Sequence, residues 1–240
     1  MKGDAGRDDR ARRGSTPKAE DTRRRILAAA LDLFQERGFA ETTMRHIARK
    51  ADVATGAAYY YFPSKEAIVM AFYWQTHEEM NQLSRGPLRE VRDLRGRLRA
   101  LIDLKLQQFR PYREFLGALF GSAGDPSSPL SPFGEETREI REQSIEHFRE
   151  ALEGSGARIP ADLAPHLPLL LWLYQMGVIL FWIHDRSPRQ TRTQRLLDHS
   201  LDLIVRAIQV SRFPLLTPIR KAALRLVTVV TDPTLPEEAR

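Results

Sequence analysis

The sequence predicts an all-α chain, and three observations carry that prediction. Apolar residues recur at i, i+3, i+4 and i+7 in one segment after another. No stretch alternates apolar and polar residues over a strand's length. Gly, Pro, Ser and Thr fall between the apolar stripes, where helix ends are wanted.

Composition sets the frame. At 240 residues, with 42% hydrophobic and 28% charged side chains, the chain can bury a sizeable core as one long domain or two short ones. There is no cysteine, which removes disulfides, thiol nucleophiles and thiolate metal sites and suits a reducing compartment. The opening segment is polar and lacks the apolar stretch of a signal peptide, so the expectation is a cytoplasmic protein. A net charge of +6 and a pI near 9.8 favour anionic partners. Residues 1–25 hold nine Lys or Arg against five Asp or Glu and so carry +4 of that charge.

Residues 1–20 read as a disordered basic arm, because a segment with almost no apolar residues cannot offset its chain entropy. It is either a solvated tail or an arm that touches DNA. From Asp21 and Thr22, Ile26, Leu27, Ala30, Leu31 and Phe34 define a first helix, which Gly38 ends with a left-handed cap. Thr42 and Thr43 precede Met44, Ile47, Ala48 and Ala51, a two-turn second helix with hydroxyls at its start. After a break at Asp52, a third short helix runs to Phe62, and Pro63 and Ser64 stop it before a fourth begins at Lys65. Two short helices joined by a tight turn and packed on a longer one form a helix-turn-helix unit over about 43–62.

Beyond residue 86 every stripe is helical in period. Leu88, Val91, Leu94, Leu98, Leu101, Ile102, Leu104 and Phe109 share one broad apolar face, followed by the aromatic piece FRPYREFLGALF. Residues 121–134 form a Pro, Ser and Gly loop before a charged helix from Glu135 to about Glu153. Residues 167–183 are apolar nearly all round. DRSPRQ then makes a turn, Leu196, Leu197, Leu201, Ile204 and Ile208 mark the next helix, and Leu216, Ile219, Ala223, Leu226, Val227 and Val230 mark a last one.

The run TGAAYYYF is the most informative stretch. On a helical wheel, placing Ala58 inward puts Ala54 and Phe62 on the same inner arc and leaves Thr55, Gly56, Tyr59 and Tyr60 on a continuous outer arc. Tyr61 lies at its edge, where it either covers the seam with the fourth helix or faces outward. A glycine and two phenols make a poor packing face. Phenolic hydroxyls can, however, reach phosphate oxygens or base edges, and small residues let a backbone approach the major groove.

The stretch TRRRILAAALDLFQERGFAETTMRHIARKADVATGAAYYYFPSKEAIVMAF resembles the DNA-binding domain of the TetR family of bacterial transcriptional repressors. The likeness rests on the Gly-Phe before the Thr pair, the Ile-Ala core of the second helix, the Val-x-x-Gly opening of the third, and the run Tyr-Tyr-Tyr-Phe-Pro-Ser-Lys-Glu. It implies an N-terminal three-helix DNA-binding domain over residues 21–66 and a larger helical ligand-binding and dimerisation domain over 67–231, with a flexible tail at 232–240. It also implies a homodimer on a palindromic operator and a small-molecule effector that releases it, and the apolar residues of the C-terminal half make a hydrophobic effector the expectation. Carried over by position, Arg45, Thr55, Gly56, Ala57 and Tyr59 are expected at bases, and Thr42, Thr43, Tyr60, Tyr61 and Lys65 at phosphates. Ala58 is smaller than the aliphatic residue common in the family, so core bulk must come from elsewhere.

Three readings stand for residues 167–183. A membrane span fits poorly with Pro168, Gln175 and Gly177. A buried helix of a dimerising bundle fits best, and the resemblance then implies that helices at about 163–183 and 192–210 pair with their symmetry mates. One side can also line an effector cavity. Trp172, Gln175, Met176 and Ile179 share a face, with Phe109, Tyr112, Phe115, Leu116 and Phe120 as the opposing wall.

Enzyme signatures are missing. No two of the six histidines have a helical metal-pair spacing, and there is neither a phosphate-cradling glycine loop nor a nucleophile elbow, so no catalysis, metal or cofactor is expected. The alternative to a DNA-binding regulator is a lipid-binding protein of the same fold that has lost DNA reading; ILFWIHDRSP has a slight similarity to such proteins.

Overall fold

A computed structural model describes residues 16–123 and 128–231, all of whose regular elements are helical. Residues 1–15 of the expected arm and the expected tail from 232 lie outside the described residues, as do the side chains of Ala223, Leu226 and Val230.

Helix α1 (Pro17–Glu41) starts earlier than the apolar stripe suggests. Thr16 accepts a hydrogen bond from the Ala19 amide and Pro17 occupies the first turn, where its missing N–H is no loss. Residues 17–20, expected in the arm, are therefore helical. Gly38 breaks the helix with φ 82° and ψ 162°, an extended mirror-image conformation open essentially to glycine, instead of the left-handed helical cap expected.

Helices α2 (Met44–Lys50) and α3 (Thr55–Tyr61) follow, and α2 packs on both α1 and α3. The turn between them is a Schellman motif: Val53 N–H donates to Ala48 C=O and Asp52 N–H to Arg49 C=O, with Asp52 left-handed at φ 54°. Arg25 reaches from α1 to the Asp52 carbonyl.

Helix α4 (Lys65–Leu83) passes from one compact unit to the next between Tyr73 and Trp74. The first unit extends to Tyr73 and also takes in residues 114–122 of α7 (Arg113–Ala123). Its core contains Ile26, Ile47, Ala58 and Ile68 and a group of phenylalanines. Phe115 stacks on Phe34 at 5.3 Å and meets Phe72 edge-on at 5.8 Å. Phe115, from a later helix, thus adds its bulk to this unit's core.

The second unit contains the rest of α4, α5 (Arg85–Glu90), α6 (Leu94–Phe109), α8 (Arg138–Glu153), α9 (Leu167–His184), α10 (Thr191–Val210) and α11 (Thr217–Thr231). Asp93 splits the single stripe expected over 88–109, because its carboxylate caps α6 through the Gly96 amide at 2.8 Å. Buried Arg97 donates to the carbonyls of Leu88, Val91, Glu150 and Ala151 and so satisfies the ends of α5 and α8.

By length and composition α9 could cross a membrane, at a mean hydropathy of 1.6. Here it packs on α8 and α10 with Trp172, Gln175, Ile179 and Trp182 buried. Its end is closed by Arg113, which donates to the carbonyls of Trp182, Ile183 and Asp185. The Asp185 carboxylate accepts four hydrogen bonds from Ser187 and Thr193. Burial alone would raise its pKa, but those four donors hold it well below the usual carboxylate range.

Between α4, α6 and α8 lies a buried polar cluster. Asn81 bridges the rings of His77 at 3.1 Å and His147 at 2.6 Å, while Gln108 links the Lys105 ammonium, the Thr76 carbonyl and Glu79. Burial, then the neighbouring His77 and Lys105, lowers the His147 pKa to about 4.

Candidate nucleic-acid interface

The exposed face of α3 follows the wheel. Ala58 is fully buried and Phe62 nearly so, the latter beneath the Arg23 guanidinium at 5.0 Å. Thr55, Gly56, Tyr59 and Tyr60 face outward, with Tyr59 52% and Tyr60 84% exposed. Tyr61 is half-buried and packs edge-on against Tyr60 at 5.3 Å, and Ala57 is also half-buried. Ala54, expected inward, is the exposed N-cap residue of α3. One turn of helix therefore presents two large phenols to water, which apolar burial disfavours.

Gly56 sharpens the point. A Cβ added there would have nothing within 4 Å, and the backbone does not require glycine's freedom. Glycine in a helix is nevertheless less favourable than alanine by up to about 1 kcal/mol. Nothing inside the described residues accounts for the missing side chain.

Arg45 stands on the exposed side of α2, and no ion pair or side-chain hydrogen bond to a described residue holds it. Lys50 on the same helix is tied to Glu36 at 2.6 Å and Asp32 at 3.5 Å. The loose guanidinium thus lies in the helix that precedes the phenol-bearing turn.

Three of the residues expected at phosphates are engaged within the chain. Thr42 is fully buried, and its hydroxyl lies 2.8 Å from Gly38 C=O and 3.2 Å from Leu33 C=O, so it locks the α1 break and is closed to a ligand. Thr43 is exposed but accepts from the His46 amide at 3.2 Å, while His46 Nδ1 accepts from the Thr43 amide at 3.4 Å. This is a capping box in which histidine takes the usual Glu or Gln place, and a Thr three residues before a His was its signal in the sequence. Lys65 donates to Phe39 C=O at 2.6 Å and Ala40 C=O at 3.3 Å, and its ammonium lies 4.6 Å from the Phe39 ring centre. It pins the segment after Gly38.

The nine residues expected to line an effector cavity are divided between the two units. Phe109 and Tyr112 belong to the second unit, whereas Phe115, Leu116 and Phe120 belong to the first, where Phe115 and Leu116 are core. On α9, Trp172, Gln175 and Ile179 are buried and Met176 half-buried; Trp172 packs edge-on against Phe133. An apolar cavity of about 510 Å³ lies instead between α9, α10 and α11, and none of the nine residues lines it.

Comparison with known proteins adds two family matches. A model described as "Bacterial regulatory proteins, tetR family" matches residues 26–72, and one described as "Tetracyclin repressor-like, C-terminal domain" matches residues 97–224. The chain is similar to the HTH-type transcriptional regulator TtgR of Pseudomonas putida, 36% identical over 204 residues that cover 80% of this chain and 95% of TtgR. It is 31% identical over 91 residues to the HTH-type transcriptional regulator UidR of Escherichia coli, covering 38% of this chain and about half of UidR's length, 46%. Among solved structures, the fatty acid degradation regulator FadR from Bacillus halodurans shares the fold at a TM-score of 0.60 and 17% identity, over 78% of this chain and 96% of that one.

Proposed function

From the premise that this chain belongs to the TetR family of transcriptional regulators and carries its DNA-binding domain, we propose that it acts in the cytoplasm as a homodimeric repressor on a palindromic operator, released by a small hydrophobic effector. The observation that carries this reading is the α3 face, with Tyr59 and Tyr60 exposed beside a glycine that no internal packing requires. Tyr59, Thr55, Gly56 and Ala57 meet base edges, Arg45 makes a bidentate contact to guanine, and Tyr60, Tyr61 and Thr43 meet phosphates. Thr42 and Lys65 support this surface from within.

Pairing falls to α9 and α10. Leu180 and Leu203 are 46% and 68% exposed on one chain, and a second copy would cover them. Two reading helices then lie one or more DNA turns apart, about 34–36 Å per turn. The effector acts only through its different affinity for the DNA-competent and incompetent states. The lipid-binding alternative loses support because the exposed phenols and Arg45 are all present.

A mobility-shift titration with a fragment from upstream of the protein's own gene, against unrelated DNA of equal length, tests the reading. Preferential, salt-sensitive binding to the upstream fragment or to a more distant operator supports it. Equal affinity for every DNA refutes sequence-specific regulation.

A further inference from the structure

We propose that the cavity between α9, α10 and α11 binds a monomeric amphipathic anion, a straight aliphatic tail with an anionic head such as a fatty-acid carboxylate. Its volume of about 510 Å³ lies within the range of small-molecule sites. The lining is aliphatic, including Leu163, Leu167 and Leu171 on one side and Ile204 and Ile208 on another. Such a wall offers a tail burial and almost no polar partners.

The polar end lies at Arg220. This residue also lines an adjoining hollow of about 350 Å³, together with Arg158, Ile159, Pro160, Arg212 and Phe213. Arg220 is fixed by Asp162 at 2.9 Å and by the Ser211 carbonyl, so its charge is already answered. Arg158 and Arg212 are exposed, and Arg212 lies 6.0 Å from the Phe213 ring centre. Three guanidiniums against one carboxylate leave this end cationic. An aliphatic chamber that shares Arg220 with a cationic hollow suits an anionic head on an apolar tail by charge and polarity.

On α9 the lining residues Leu167, Leu170, Leu171 and Tyr174 cluster about 130° around the helix from exposed Leu180, whereas on α10 Ala207 and Val210 line the chamber within about 40° of exposed Leu203, so the chamber borders the proposed pairing face. The matched C-terminal family model ends at residue 224, inside α11, so one wall continues past the matched region. If the ligand is the effector, this inference rests on the regulatory reading; binding itself does not.

Calorimetric titration of the full chain with laurate below its micelle concentration, with dodecanol as the uncharged control, tests the site without DNA. Laurate should bind at one molecule per chain. Arg158→Gln with Arg212→Gln, both surface changes, should weaken laurate at least about tenfold while leaving dodecanol unchanged. Ala207→Trp, an exposed position on the cavity wall one turn from Leu203, should abolish both, with the unfolding temperature and the subunit pairing, read by sedimentation, retained. Absence of saturable laurate binding, binding only to anionic vesicles, or laurate binding indifferent to the arginine pair would overturn the proposal. Laurate binding without any specific DNA binding would leave the site standing and remove the regulatory reading.

Discussion

Replacing Gly56 by alanine should move stability and DNA binding in opposite directions. The new Cβ meets nothing within 4 Å, so the folded chain carries no steric penalty. Alanine is the better helix former by up to about 1 kcal/mol, and in a chain of this size that raises the unfolding temperature by about 2–4 °C. On DNA the same methyl stands between α3 and the groove floor. Forcing one methyl into a packed interface costs about 1–3 kcal/mol, a loss of about five- to 150-fold in affinity. Differential scanning calorimetry and fluorescence anisotropy on a labelled upstream fragment read the two quantities separately. Gly86→Ala on α5, whose added Cβ also meets nothing within 4 Å, is the control and should leave DNA binding unchanged. A Gly56→Ala protein that binds the fragment as tightly as wild type would show that nothing approaches α3 closely there, and the argument from the missing side chain would fail.

Three further outcomes follow from the same geometry. Lys65→Gln should lower the unfolding temperature and leave the slope of log affinity against log salt unchanged; a slope reduced by about one would mean that Lys65 contacts a phosphate after all. Thr42→Val keeps the shape and removes a buried donor, so thermal unfolding should report a loss of about 1–2 kcal/mol, while DNA affinity measured well below the transition stays unchanged. Acid should weaken the second unit. The folded His147 pKa, about 4, lies below the ordinary 6.5, so the unfolded chain binds the proton first and stability falls as pH drops from 6.5 towards 4, by up to about 3 kcal/mol. Urea midpoints across that window check it, and His147→Gln should flatten the dependence.

What the sequence made legible was local. The α3 face follows from a period of 3.6 residues and two inward anchors, Ala58 and Phe62, and both are buried. Choosing between Thr42 and Thr43 was harder, because a helix boundary one residue away decides which hydroxyl caps and which turns inward. The start of α1 was signalled by Thr16 before Pro17, a pair overshadowed by the charge around it. Long-range pairings left no periodic trace. Lys65 finds Phe39, Phe115 finds Phe34, and His77 finds His147 only after the chain has folded back. The nine residues expected at an effector wall fall in both units for that reason: an aromatic stripe records that a face is buried and not which unit buries it.

The most direct test of the central claim is the ratio of affinity for the upstream fragment to affinity for unrelated DNA, measured for wild type, Tyr59→Ala and Tyr60→Ala at one salt concentration. If α3 reads bases through Tyr59 and holds phosphates through Tyr60, Tyr59→Ala lowers the ratio, while Tyr60→Ala weakens both affinities and preserves it. An unchanged ratio in Tyr59→Ala, with both affinities intact, would contradict the assignment of this face to operator reading.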